Sequence, residues 1–277
     1  RIRRQHHLHL HLTMHTFAYG NLIDDATLSG GSWEVAHPLA ELQERELALY
    51  AKSSTADPAD TQIIIDHGSA VSAQCFGIFA HNIEDAAATI VVNRGTTSGG
   101  ADVYSGDTLS CWPFTPMSSG YDGSTFGIIV VSAGPTTARY TTIGIRTSAV
   151  VRIGRLFVGS VFSAGIGVTR RTDDWLADFS SVDRTESGAD WVTSRPRLRS
   201  PSIEFGAMTR TEASLLHEII RTHGTTSEVV FLGDTESRSD MQQHGCLAMM
   251  RRLSPLEYPF WNHNSIALGF DERGGAP

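Results

Sequence analysis

Short apolar runs, each the length of a strand, recur along the chain between turn signals. Ile63-Ile64-Ile65 and Ile90-Val91-Val92 are β-branched and crowded at Cβ, which suits a pleated surface better than a helix. Between them lies Cys75-Phe76-Gly77-Ile78-Phe79-Ala80. Apolar residues in an unbroken run imply burial on both faces, so residues 61–92 are expected to supply inner strands of a sandwich. Phe126–Val131 reads as a further strand, ended by Ala133-Gly134-Pro135. Tyr140–Ile145 alternates, and Ala149–Val158 gives two apolar blocks joined by Gly154-Arg155. Strands at this spacing, with no helical period between them, read as an antiparallel sandwich or jelly roll.

The pattern changes near Arg170. Arg170, Arg171, Asp173, Asp174, Asp183, Arg184, Glu186 and Asp190 make a charged, helix-poor stretch, expected to be a linker or an extended contact arm. Ser202–Phe205 then reads as a strand. One helix follows. Thr209 and Glu212 form a capping box, and Ala213, Leu216, Ile219 and Ile220 form one apolar stripe. Gly224 stands where a terminating glycine belongs. Val229–Leu232, Cys246–Met250 and Ser265–Phe270 are further strands. The expected fold is mainly β: an antiparallel β-sandwich over residues 14–165, a charged arm over 166–200, and a smaller α+β domain with one main helix over 201–277.

Composition narrows the partners. A net charge of −8 and a pI near 5.8 argue against nucleic acid as the main partner. Basic side chains are almost all Arg, which favours planar, bidentate protein contacts. No apolar run approaches the length of about 20 residues that spans a bilayer, so no membrane insertion is expected. Cys75, Cys111 and Cys246 fit neither a zinc spacing nor a disulfide framework and read as inert thiols. The early segment carries His6, His7, His9 and His11, but no carboxylate or Cys completes a metal site there. Met14 followed by His-Thr-Phe reads as a natural start, with residues 1–13 an extension ahead of it.

The residues define no reaction. Asp66, His67, Ser69, Ser72 and His81 are close in sequence, but neighbours on a strand face opposite ways and no Gly-x-Ser-x-Gly elbow is present. His81-Asn82 reads as a turn. Asp122-Gly123-Ser124 lacks the oxygen count that calcium needs. No enzyme, metal or cofactor is therefore expected. Two sets of residues are candidate contacts. Arg195, Arg197 and Arg199 alternate on an extended segment, sharing a face that, with Arg170 and Arg171, suits a subunit interface. Trp112, Phe114 and Tyr121 are either core aromatics or a platform on which sugar rings stack.

Several stretches together resemble a family. They are Trp33-Glu-Val-Ala-His-Pro38-Leu39, Gly77-Ile-Phe-Ala-His81-Asn82-Ile83, Ile153-Gly154-Arg155-Leu156-Phe157-Val158-Gly159 and Met208-Thr209-x-x-Glu212. This order is similar to that of tailed-phage and prophage tail-tip or baseplate proteins of the siphophage type. The resemblance covers nearly the whole chain after Met14. It implies a galactose-binding-like sandwich near the N-terminus and no catalytic residues. It also implies a structural role in a ring around the tail axis, in a virion assembled in the host cytoplasm. The implied partners are copies of the chain and neighbouring tail or baseplate proteins. A carbohydrate-binding adhesin that reads a host glycan is the alternative.

Overall fold

The computed structural model describes residues 15–116, 123, 126–164, 169–173, 176–178, 180–184, 190–193, 197–253, 257–260 and 263–274. The fold is mainly β and antiparallel. The main strands are β1 (His15–Tyr19), β2 (Ile63–His81), β3 (Thr89–Gly95), β4 (Ile128–Arg146), β5 (Arg152–Phe162), β6 (Thr169–Asp173), β7 (Ser181–Arg184) and β8 (Asp190–Thr193). After these come β9 (Ser202–Met208), α1 (Arg210–His223), β10 (Glu228–Asp234), α2 (Arg238–His244), β11 (Cys246–Leu253) and β12 (His263–Glu272). One hydrogen-bonded path runs β6-β9-β12-β11-β10-β1-β5-β2-β4-β3. The expected boundary near residues 160–170 falls where β5 ends. The sheet nevertheless continues across it, because β1 pairs with β5 on one side and with β10 on the other.

Alternation along the strands sorts the interior into three layers. Ile63, Ile65, Phe76 and Ile78 of β2 meet Ile90 and Val92 of β3, Ile143 and Ile145 of β4, and Leu156 and Val158 of β5 inside the sandwich. Cys75, Phe79 and Phe157 point the other way, onto Val230, Leu232, Met241 and Leu247. The opposite residues of β10, Val229 and Phe231, lie under α1 with Leu216, Ile219, Phe205 and Phe270. The unbroken apolar run Cys75–Ala80 is thus buried on both faces, as its pattern implies, and the later part of the chain covers its rear face.

Two features of β4 and the helices depart from the expected pattern. β4 runs through Ala133-Gly134-Pro135, where a strand end was expected. The ladder with β2 loses register between Ala73 and Cys75, so Pro135 sits at an irregularity where its missing N–H costs no ladder bond. Helix α1 keeps its capping box: the Thr209 Oγ1 accepts from the Glu212 N–H, and the Glu212 carboxylate accepts from the Thr209 N–H at 2.7 Å. A second helix, α2, has no counterpart in the expected elements. Arg-Ser-Asp-Met-Gln-Gln-His has no apolar stripe, and the helix is held by its Ser237 cap and the burial of Met241 and Gln242. At the His81-Asn82 corner the left-handed residue is Ala80, at φ 50°, and the Asn82 side chain bonds Val150 and Arg152, not its own backbone.

Among the described residues, two arginines are wholly buried. Arg155 donates to Glu228 at 2.5 and 2.8 Å, to Asp24 at 2.6 Å and to the Leu42 carbonyl at 3.0 Å. Glu228 also accepts from Arg273, which donates on to the Arg45 carbonyl. Arg94, next to the last residue of β3, lies inside the protein, and the segment after it closes on itself through Thr96 and Asp102. Its guanidinium donates to the carbonyls of Val71, Ala73, Thr136 and Ala138 and to the hydroxyls of Thr136 and Thr141. These carbonyls are available because the β2–β4 ladder shifts register between Asp66 and Val71 and again after Ala73. Removing one partner of a buried ion pair leaves a charge uncompensated. Arg155→Met is therefore expected to lower stability by about 3–5 kcal/mol, read from urea unfolding.

Candidate functional site

The segment between β6 and β9 builds an arm. Leu176–Ala177 pairs with Leu198–Arg199 at its base, and β7 pairs with β8 further out, Ser181 opposite Thr193, Val182 opposite Val192, Asp183 opposite Trp191 and Arg184 opposite Asp190. All eight residues of β7 and β8 are exposed, Val182 by 63%, Trp191 by 70% and Val192 by 62%. Leu176 at the base is exposed as well. Because side chains alternate, one face carries Val182 and Val192 beside Arg184 and Asp190. The other carries Trp191 beside Asp183, Ser181 and Thr193. Two ion pairs brace the arm: Arg184 to Asp190 at 2.8 Å and Arg197 to Asp178 at 3.1 Å. Bonds from Ser180, then Arg197, hold the Asp178 carboxyl down to about 2. Exposed pairs of this kind orient side chains more than they stabilise.

The expected arginine interface is divided by the structure. Arg197 is exposed on the arm. Arg199 is not exposed with it: it is 8% exposed, donates to the Gly245 carbonyl at 3.2 Å and lies over the Phe126 ring at 5.4 Å. It anchors the base of the arm and is not available to a partner. Arg170 and Arg171 lie on strand β6, paired with β9. Arg195 lies outside the described residues. The charges of this segment mark it in the sequence, but Val182, Trp191 and Val192 between them were not expected as contacts. A signal for them exists: two four-residue β-formers, Ser-Val-Asp-Arg and Asp-Trp-Val-Thr, flank Ser187-Gly188.

The aromatic platform takes the other of its two expected forms. Trp112 is 5% exposed within the sandwich core, with Phe114 at 6.1 Å and Phe126 at 6.4 Å edge-on to it. Packed edges leave no open ring face for a sugar. Tyr121 lies outside the described residues. Tyr50, nearer the surface, has its ring engaged by His37, stacked at 4.4 Å, and by the Arg152 guanidinium.

The three cysteines are buried and form no disulfide, and burial pushes the Cys111 thiol up to about 12. Among the described residues no group of three or more His, Cys, Asp or Glu could hold a metal ion. Asp66 is held by Arg139 in a bidentate pair at 2.8 Å. His67 bonds the Thr141 hydroxyl at 3.1 Å, and burial, helped by the charge of Arg94, lowers its pKa to about 4.

No protein-family model and no curated protein matches this chain. Among solved structures, about half of it aligns with carbohydrate-binding modules and with parts of glycoside hydrolases. The CBM32-1 module of a family 31 glycoside hydrolase from Clostridium perfringens is 11% identical over 51% of this chain and 98% of the module, at a TM-score of 0.38. The family 32 module of C. perfringens NanJ, solved in complex with galactose, gives 12% identity over 52% of this chain and 98% of the module, at 0.36. SpGH29 gives 14% identity over 51% of this chain, which spans only 28% of that protein, at 0.36. Likeness at this level transfers no ligand and no activity.

Two outcomes follow from the buried groups. The usual His pKa of 6.5 falls to about 4 for folded His67, so the unfolded chain takes up a proton that the folded chain refuses. This contribution to stability is complete above pH 6.5 and is lost as pH falls toward 4. The stability gap between wild type and His67→Gln should change across that window in urea titrations and be flat above it. Trp112→Ala should cost about 3–5 kcal/mol in thermal unfolding, as removal of a core indole does.

Proposed function

We propose that this chain is a non-catalytic structural subunit that acts by protein–protein assembly, with the arm as its contact element. The observation that supports this is the exposure of Val182, Trp191 and Val192 on a two-stranded ribbon with neither face covered. Such a ribbon is at best marginally stable in water by itself. A partner that covers it supplies the missing burial and gains a preshaped surface. The sandwich and the α1 layer serve as the rigid mount. A place in a phage tail tip or baseplate, as a ring of copies around the tail axis in a virion, is the setting that the sequence resemblance supports. That setting rests on the resemblance alone.

Glycan recognition is the second reading, and one observation favours it. Trp191 is the exposed indole of the arm, and Asp183 stands directly across the ladder from it. A free ring face and a nearby carboxylate are what the apolar face and the hydroxyls of a sugar require. The site would then be on the arm and not at Trp112.

Sedimentation up to millimolar concentration separates the readings. Wild type should self-associate, and Val182→Ser with Val192→Ser should be monomeric with an unchanged melting temperature. A chain that stays monomeric throughout, and whose binding to an immobilised glycan is abolished by Trp191→Ala, would overturn the assembly reading.

A further inference from the structure

We propose that the valine face of the β7–β8 ribbon docks on the same face of a second copy of this chain, about a two-fold axis parallel to the strands. The inference deepens the assembly reading and rests on it. The ladder sets Val182 opposite Val192 and Arg184 opposite Asp190, so one face carries an apolar row and, next to it, a row with one positive and one negative end. A half-turn about a line along the strands keeps each row at its own level and exchanges the two strands. β7 then lies over the partner's β8. Val182 meets the partner's Val192, and Arg184 meets the partner's Asp190. Four valines close into one cluster, and the charges meet in two opposite-sign pairs beside it. Each copy presents what the other needs.

The alternatives fit less well. A half-turn about a line across the strands either sets each valine against a charged side chain, which buries charge without a partner, or, if the line follows the valine row, leaves the charged row facing nothing. The opposite face is not self-complementary under the first rotation. It would lay the Trp191 ring over the partner's Asp183, an apolar group with an electron-rich face against a carboxylate. The valine face is therefore the one that recognises its own copy, and Trp191 stays free. Eight residues a side fall well short of the area of roughly 1,000 Å² expected of a stable stand-alone interface. The contact is consequently weak for an isolated pair and becomes strong where many copies are held together, by raised effective concentration.

The test uses the full chain and the double variant R184D/D190R. The variant retains the ion pair within its own ribbon, with the charges exchanged. Wild type over wild type and variant over variant each place opposite charges face to face. Wild type over variant places like charges face to face at both ends of the charged row. Each protein should therefore self-associate alone, while mixed dimers, read by fluorescence transfer between labelled copies at high concentration, should fall about tenfold below the statistical level. Mixed dimers at the statistical level would overturn the valine-face contact and leave assembly standing on another surface. Absence of self-association in both proteins at every concentration would overturn the contact and the assembly reading together.

Discussion

Arg155 holds three distant parts of the chain to one point. Its guanidinium reaches Asp24 and the Leu42 carbonyl from the early segment and Glu228 from β10, while Arg273 closes the far side of the same carboxylate. A cation with no water around it is tolerated only when every donor finds an oxygen, and these oxygens come from segments that must all be folded to supply them. The cluster is therefore a condition on the whole architecture. The sandwich cannot adopt its final packing independently of β10 without leaving Arg155 or Glu228 stranded. Buried ionic groups of this kind specify arrangement more than they add net stability.

The apolar layers carry the same requirement in another form. Cys75, Phe79 and Phe157 need a cover, and Val230, Leu232 and Leu247 provide it. The rear face of the sandwich and the sandwich-facing side of β10 thus form one interior. The arm stands outside this arrangement. Among the described residues, its ribbon contributes no side chain to any of the three cores. A rigid body bearing an uncommitted projection suits a protein whose contacts are made with other molecules.

Periodicity made much of this legible. Run length and β-branching located the strands, the Thr209–Glu212 capping box located α1, and the unbroken run near Phe76 announced burial on both faces. Three things were hidden. Where a strand crosses an irregularity, as β4 does at Pro135, a local break signal is overruled by pairing with a neighbour. α2 owes its existence to a cap and a tertiary pocket, which leave no periodic trace. The arm stands out by its charges, but the residues that single it out are the apolar ones between them. Arg199 shows the limit from the other side: alternation on an extended segment does not tell what lies beside each position, and Arg199 packs over Phe126 and bonds the Gly245 carbonyl while Arg197 stays exposed.

The pairing of β1 has a further consequence, one that concerns time. β1 is bonded to β5 and to β10, and β10 lies more than 200 residues beyond it. On a ribosome, β1 must wait for a partner strand made more than 200 residues later. During that interval the sandwich strands can pair with one another, while Phe79 and Phe157 on their rear face remain uncovered. The nascent chain therefore carries an adhesive surface until β10 and β11 have been made. A cell that makes many copies at once has to shield that surface until the later strands arrive.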